Sequence, residues 1–233
     1  MSTILTKTHQ ILCKTFPFLR VLSQKLRGHN PNRRIRGENN TVHSGDADLS
    51  SVVFDIKGNH NTVELGEGCT LNHVTIYMRG DHHHLQIGKN VRFHHGGHIW
   101  FEDREGRLSI GDKTSFEDVH LAITEPGSKI TIGEKCLFAY DIDVRTGDSH
   151  SILNAKTGER LNYAQDVAIG DHVWVAAHSL IMKGVRIQKG SVVAGGAVVT
   201  KPFEQKGIVI GGNPAKQIKE NIAWSGKRLY KDS

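Results

Sequence analysis

"IGDHVWVAAHSLIMKGVRIQKGSVVAGGAVVTKPFE", residues 169–204, repeats in sixes. An aliphatic residue returns at Ile169, Val175, Ile181, Ile187, Val193 and Val199, and a small or β-branched residue follows four places later at Val173, Ser179, Val185, Ser191 and Ala197. A helix repeats every 3.6 residues and a strand every two, so neither gives six. Short strands joined by tight corners, each corner reusing one small residue, do give it. The stretch predicts a solenoid.

Upstream the period lengthens. RGENNTVHSG (36–45), KGNHNTVELG (57–66), RGDHHHLQIG (79–88), EDREGRLSIG (102–111) and TEPGSKITIG (124–133) share a turn-like opening, an apolar alternation and a closing glycine, with the glycines 21 to 23 apart. Three hexads make 18 residues, so each longer unit reads as one triangular coil plus a short corner loop. Asn, Gly and Asp in the openings suit tight turns and positive φ. Stacking pairs strand on strand and satisfies backbone groups that a lone coil would leave open.

The hexads, followed by IVIGGNPAKQIKENIAW (208–224), resemble the hexapeptide-repeat acyltransferases of the left-handed parallel β-helix fold, and in particular the capsule and lipopolysaccharide O-acetyltransferases. The match runs over roughly residues 35–224 and is most specific over 141–224. The resemblance implies an all-β, left-handed β-helix with a short N-terminal helical segment and a C-terminal helix. It also implies a homotrimer with sites between subunits, acetyl-coenzyme A as donor and no metal. The acceptor would be a sugar hydroxyl of a bacterial surface polysaccharide, a capsule such as polysialic acid or a lipopolysaccharide, in a cytoplasmic enzyme that can lie against the inner face of the membrane.

Composition sets wider bounds. With 37% hydrophobic and 6% aromatic residues in 233, the chain can fill one narrow aliphatic core. No run is long enough to cross a bilayer. Residues 1–36 hold eight Lys and Arg and no acid, leaving 22 basic against 24 acidic residues in the rest, which is not a nucleic-acid surface. The division is a basic amphipathic arm or cap over 1–34, a β-helix domain over 35–224 with a loop at 151–168, and a tail over 225–233. The arm has apolar residues at Leu5, Leu12, Phe16, Leu19, Leu22 and Leu26, broken at Pro17. It reads as a lid on the first coil or, through residues 1–30, as a contact with an anionic membrane or glycan. Of three cysteines, Cys69 and Cys136 fall in the small slot after Leu65 and Ile132 and read as packing thiols.

The repeat breaks at "RTGDSHSILN", residues 145–154. Ile132, Phe138 and Val144 step by six toward position 150, where His150 stands in a polar setting, and the rhythm resumes only at Ile169. The family carries a histidine base just ahead of such a loop. Transfer from a thioester to an alcohol needs the hydroxyl proton removed as oxygen attacks, which imidazole can do near neutral pH. No GxSxG nucleophile motif occurs, so direct transfer is favoured. Asp143 and Glu159 are the candidate carboxylate partners of His150. His120 stands where galactoside-type relatives place an acceptor-side asparagine, and it falls in the small slot after Phe116.

Donor contacts carry over to Trp174, 24 residues after His150, whose indole would pack on the pantetheine arm. They also carry over to Ala177, Gly195, Gly196 and Thr200, where small side chains let the donor approach backbone. Lys216 and Lys219 match basic positions near the nucleotide phosphates, with Lys replacing the relatives' Arg. Three rivals stand beside this reading. One is a sugar N-acetyltransferase and another a non-catalytic glycan-binding solenoid. The third is a zinc enzyme of the γ-carbonic anhydrase type drawing on His94, His95 and His98. His82, His83 and His84 fall on the repeat positions of Asn39–Thr41 and His60–Thr62 and read as a corner ladder.

Overall fold

A computed structural model describes residues 31–230. The N-terminal arm over 1–30, and with it the expected N-terminal helical segment, lies outside the described residues. From β1 (Asn32–Arg36) to β24 (Ala215–Lys219) the described chain is strand and turn, and up to β22 every third strand joins the same sheet, after which β23 and β24 both add to the third sheet. Three sheets of eight, seven and nine strands, parallel throughout except for β24 at the edge of the third, form the faces of a triangular solenoid of about eight turns. We call them the first, second and third faces; the first corner joins first to second, the second corner second to third, and the third corner third to first.

The six-residue pattern is the inward-facing column set. Down the third face Leu49, Leu71, Phe93, Phe116, Phe138, Val175, Val193 and Ile210 align, each paired with the next coil. The phenylalanines stack, Phe93 on Phe116 at 4.5 Å and Phe116 on Phe138 at 4.7 Å between centroids. At the second corner the small slot holds Cys69, Thr114, Cys136, Val173 and Ser191, all buried. Cys69 Sγ donates to Gly88 O at 2.9 Å and Cys136 Sγ to Gly170 O at 3.2 Å. Burial pushes the Cys136 thiol up to about 11, which leaves it a packing group.

The extra residues of the upstream coils lengthen the strands on either side of the first corner, such as β4 (Val53–Lys57) and β5 (Thr62–Leu65), where the last coils have two-residue strands. A buried polar ladder fills the corner. Asn61 Nδ2 donates to Asn40 Oδ1 at 3.0 Å and to Gly80 O at 2.9 Å, and Asn61 Oδ1 accepts from His83 N–H at 2.9 Å. His83 Nδ1 accepts from Gly106 N–H at 3.1 Å, so Nε2–H donates to Arg79 O at 3.0 Å. Burial lowers the His83 pKa below 6.5, against a smaller upward pull from its bond to Arg79, and both ring nitrogens serve the neutral tautomer. His60 and His82 stack outside at 4.9 Å. The histidine triplet is thus the corner ladder expected. Gly58, with φ +141°, permits this corner, since a Cβ there would meet Gly80 O at 1.8 Å.

One element differs from expectation. The segment read as a C-terminal helix is β24, antiparallel to β23 (Val209–Gly212) at the edge of the third face. Gly212, with φ +98°, Asn213 and Pro214 reverse the chain tightly. The residues that follow therefore fall on the last coil's open backbone groups, and pairing them outweighs helix propensity.

Candidate active site

The excursion leaves the solenoid at the first corner after β16 (Ile142–Arg145) and rejoins it at β17 (Val167–Ile169), which pairs with β14 (Lys129–Ile132) as any next coil would. The inner position before departure is Thr146, not residue 150. Its Oγ accepts from Thr124 N–H at 3.0 Å and donates to Thr124 O at 3.1 Å, closing the corner. The chain is free to leave because Thr146 completes the coil.

Asn162 holds the excursion together. It is 8% exposed, and its Oδ1 accepts from Ile152 N–H at 2.7 Å. Its Nδ2 donates to Asp148 Oδ2 at 2.9 Å and His150 O at 2.8 Å. Lys183, from the following coil, donates to Asn162 O at 2.9 Å and pairs with Asp148. Burial alone would raise the Asp148 pKa, but the bonds from Lys183 and Asn162 bring it below the usual carboxylate value. Arg160 grips Glu125 through both terminal guanidinium nitrogens at 3.0 and 2.5 Å. The backbone of His150 is thereby fixed, while its side chain is exposed. A lone asparagine or lysine among polar residues carries no sequence signal, which is why Asn162 and Lys183 escaped the sequence reading.

The carboxylates distribute differently from expectation. Asp143 faces outward on the first face beside His120, its neighbour in register, and accepts from His120 Nδ1–H at 3.1 Å. Arg145 holds its other side, with Nε donating to Oδ1 at 2.8 Å. Burial pushes Asp143 up, but these bonds dominate and lower it to about 2. Asp143 is therefore an anion committed to His120 and Arg145. Glu159 lies on the exposed turn of the excursion, where its backbone O accepts from Asn154 N–H at 2.8 Å. No hydrogen bond joins His150 to either carboxylate.

His120 does not occupy the inner slot after Phe116. The third corner of that coil is two residues long, Glu117 and Asp118, where the preceding coil has three. Val119 takes the slot, 2% exposed, and alternation turns His120 out. It sits 6.0 Å from His98, whose pKa is lowered by burial and by His120. His94 contacts Ser115 at 3.0 Å and His95 contacts Glu117 at 2.6 Å, so the three histidines weighed for zinc serve separate neighbours.

Of the donor set, Ala177, Gly195 and Gly196 stack at the third corner, with Gly196 N–H donating to Ala177 O at 2.9 Å. Lys216 pairs with Gly211 on the next strand and Lys219 with Val209; both lysines are exposed. Thr200 lies apart, just past β22 (Val198–Val199) at the first corner. Trp174 faces outward on the third face, 41% exposed, and shares its row with Leu137, Val192 and Val209.

A parallel solenoid interrupted once, at a corner, by a histidine-bearing excursion defines a class, the hexapeptide-repeat acetyltransferases. No family model matches the chain. The polysialic acid O-acetyltransferase of Neisseria meningitidis is 35% identical over 196 residues, which is 84% of this chain and 89% of the relative. The crystal structure of the polysialic acid O-acetyltransferase OatWY superposes with a TM-score of 0.78 at 31% identity, covering 88% of this chain and 95% of that one. That of the polySia specific acetyltransferase NeuO gives 0.76 at 28% identity over 87% and 91%. The chain belongs to the hexapeptide-repeat acetyltransferase family, in the group of these polysialic acid O-acetyltransferases. It is an acetyltransferase whose co-substrate is acetyl-coenzyme A.

Proposed function

We propose that the protein O-acetylates polysialic acid, a bacterial capsule polymer, by direct transfer from acetyl-coenzyme A with His150 as general base. One observation carries the mechanism. His150 hangs at the first corner and Trp174 faces out on the third face, the side of the prism opposite that corner. One chain cannot bring the base and the donor-packing indole to the same atom. Two copies side by side can, and in a closed ring of three each groove holds one corner and one face. The apolar side chains of the excursion, Ile152, Leu153, Leu161 and Tyr163, are all more than half exposed and suit contact with a neighbouring copy.

In that groove the His150 imidazole takes the proton of the attacking sugar hydroxyl while its oxygen bonds to the thioester carbonyl carbon. The tetrahedral centre then collapses and coenzyme A leaves as thiol with that proton. His120, oriented by Asp143, presents Nε2 to the acceptor. The coil winds left-handed, as the hexapeptide pattern implies. Residues 1–30 supply a basic contact to the polyanionic acceptor or to the inner membrane surface in the cytoplasm.

Acetyl-coenzyme A with polysialic acid, lipopolysaccharide and neutral glycans, read by thiol release and by NMR location of the new ester, tests the acceptor. Ester on polysialic hydroxyls is expected; transfer to neutral glycans alone overturns the reading. Light scattering should return about three times 25.8 kDa.

A further inference from the structure

The outward side of the first face carries an aromatic stack. β4, β7 (Val74–Arg79), β10 (Gly97–Phe101), β13 (Val119–Ile123) and β16 lie side by side there. Their register sets Asp55, Tyr77, Trp100, Ala122 and Arg145 in one outward row. Tyr77 and Trp100 stack with centroids 3.8 Å apart and planes within 18°. Arg79 closes the other side of Tyr77, its guanidinium 3.8 Å from the ring centroid and 2.9 Å from Asp55, which precedes Tyr77 in the row. Rings stacked along the row stand edge-on to the sheet, so one face of the indole meets Tyr77 and the other looks toward Ala122.

Ala122 puts only a methyl, 7% exposed, between that second face and Arg145. The backbones of Trp100 and Arg145 are two coil spacings apart, about 10 Å. Arg145 commits Nε and one terminal nitrogen to Asp143. Its other terminal nitrogen has no hydrogen bond among the described residues, and Asp148, the other carboxylate that acts on it, is paired with Lys183. A cross-strand aromatic pair stabilises a sheet, which accounts for one face of the indole and not for the other. Past the stack the charged outward side chains of β1 and β4 are Arg34, Arg36 and Lys57 against Asp55, which Arg79 already holds. Glu102 stands to the side, where the Arg79 row ends at the first corner.

We propose that Trp100, Ala122 and Arg145 form a subsite for a sialic acid residue of the acceptor polymer other than the one that reacts. The inference rests on polysialic acid being the acceptor. The C–H face of a pyranose packs on an indole, and a sugar ring beside Trp100 brings its carboxylate within reach of the uncommitted Arg145 nitrogen. Position favours it too. Arg145 opens the excursion that bears His150, and His120 borders the same row one strand position away. A chain whose reacting sugar lies at His150 therefore continues onto the first face, over the indole and toward the cations of β1 and β4.

Steady-state kinetics of the full chain with acetyl-coenzyme A and polysialic acid, beside thermal unfolding, decides it. Trp100→Ala should raise the polysialic acid KM about threefold to tenfold while kcat and the donor KM stay close to the parent's, and Trp100→Phe should recover part of the loss. Ala122→Gln fills the space beside the indole and should raise the acceptor KM by a similar factor with the melting temperature kept. That variant leaves the Tyr77–Trp100 pair intact, so it carries the test even where Trp100→Ala melts early. A parental acceptor KM in Ala122→Gln overturns the inference. So does a fall in kcat and melting temperature with KM kept in Trp100→Ala, which would make the pair a support of the sheet. A parent that acetylates another glycan and not polysialic acid would sink the acceptor reading and this inference together.

Discussion

The coils before the excursion and those after it are built on one triangle whose first corner is four or five residues long in both but is flanked by long strands upstream and two-residue strands downstream. Upstream, between β7 (Val74–Arg79) and β8 (His84–Ile87), four residues turn the corner over a buried polar ladder, and the first face is five to six residues wide. Downstream, β19 (Leu180–Ile181) and β20 (Arg186–Ile187) leave only the hexad, with no polar ladder and a two-residue first face. The wide upstream face presents the outward row of His98, His120 and Asp143, whereas the narrow downstream coils present stacked small residues at the third corner and Trp174 on the third face. Longer strands expose more outward side chains on a face; shorter ones leave backbone and small residues at the surface. The excursion sits where the two regimes meet.

The largest effect should come from that meeting point. His150→Ala is expected to lower turnover by about a hundredfold to ten-thousandfold, the usual worth of a positioned base, with unchanged melting because the side chain is exposed. Steady-state kinetics beside thermal unfolding checks this, and a variant retaining most of its activity would make the excursion structural. Next, Phe116→Ala removes the middle ring of the upstream stack and should cost about 3–5 kcal/mol, against about 1–2 for Val193→Ala in the same column downstream. Denaturant unfolding of the two variants measures whether the regimes differ in core strength as in shape.

Asn162→Ala should cost about 1–3 kcal/mol through the stranded Ile152 N–H and His150 O, and should lower kcat more than KM because the base loses its anchor. An unchanged kcat would mean that His150 is positioned from elsewhere. Trp174→Ala should raise the donor KM more than it lowers turnover. The smallest effect belongs to the upstream ladder. Unfolded His83 takes a proton near pH 6.5 while the folded site resists until lower pH, so its share of stability is complete above 6.5 and declines as pH falls below it. His83→Asn, which restores the residue type found at Asn40 and Asn61, should flatten the fall in melting temperature between about pH 7.5 and 5.5. Melting curves with the same slope in both proteins would place the titrating group elsewhere.

Much of this was decided by the residues alone. Inward side chains must be apolar in any coil, so Ile169 to Val199 announced the hexad, and a corner that reuses one small slot fixed Cys69 and Cys136 as buried. Local turn chemistry placed His82–His84 on a ladder, and the break in rhythm singled out His150. What sequence could not carry was anything set by contacts across coils. Position 146 rather than 150 closes the rung because Thr146 can bond to Thr124, a partner 22 residues away. His120 turned outward because one corner was a residue shorter, and Asp143 went to His120 because parallel register put them side by side. The NPAK segment became a strand because an open edge waited for it. Patterning dictates which side of a strand is buried; register and pairing, which depend on the whole stack, dictate which outward side chains meet.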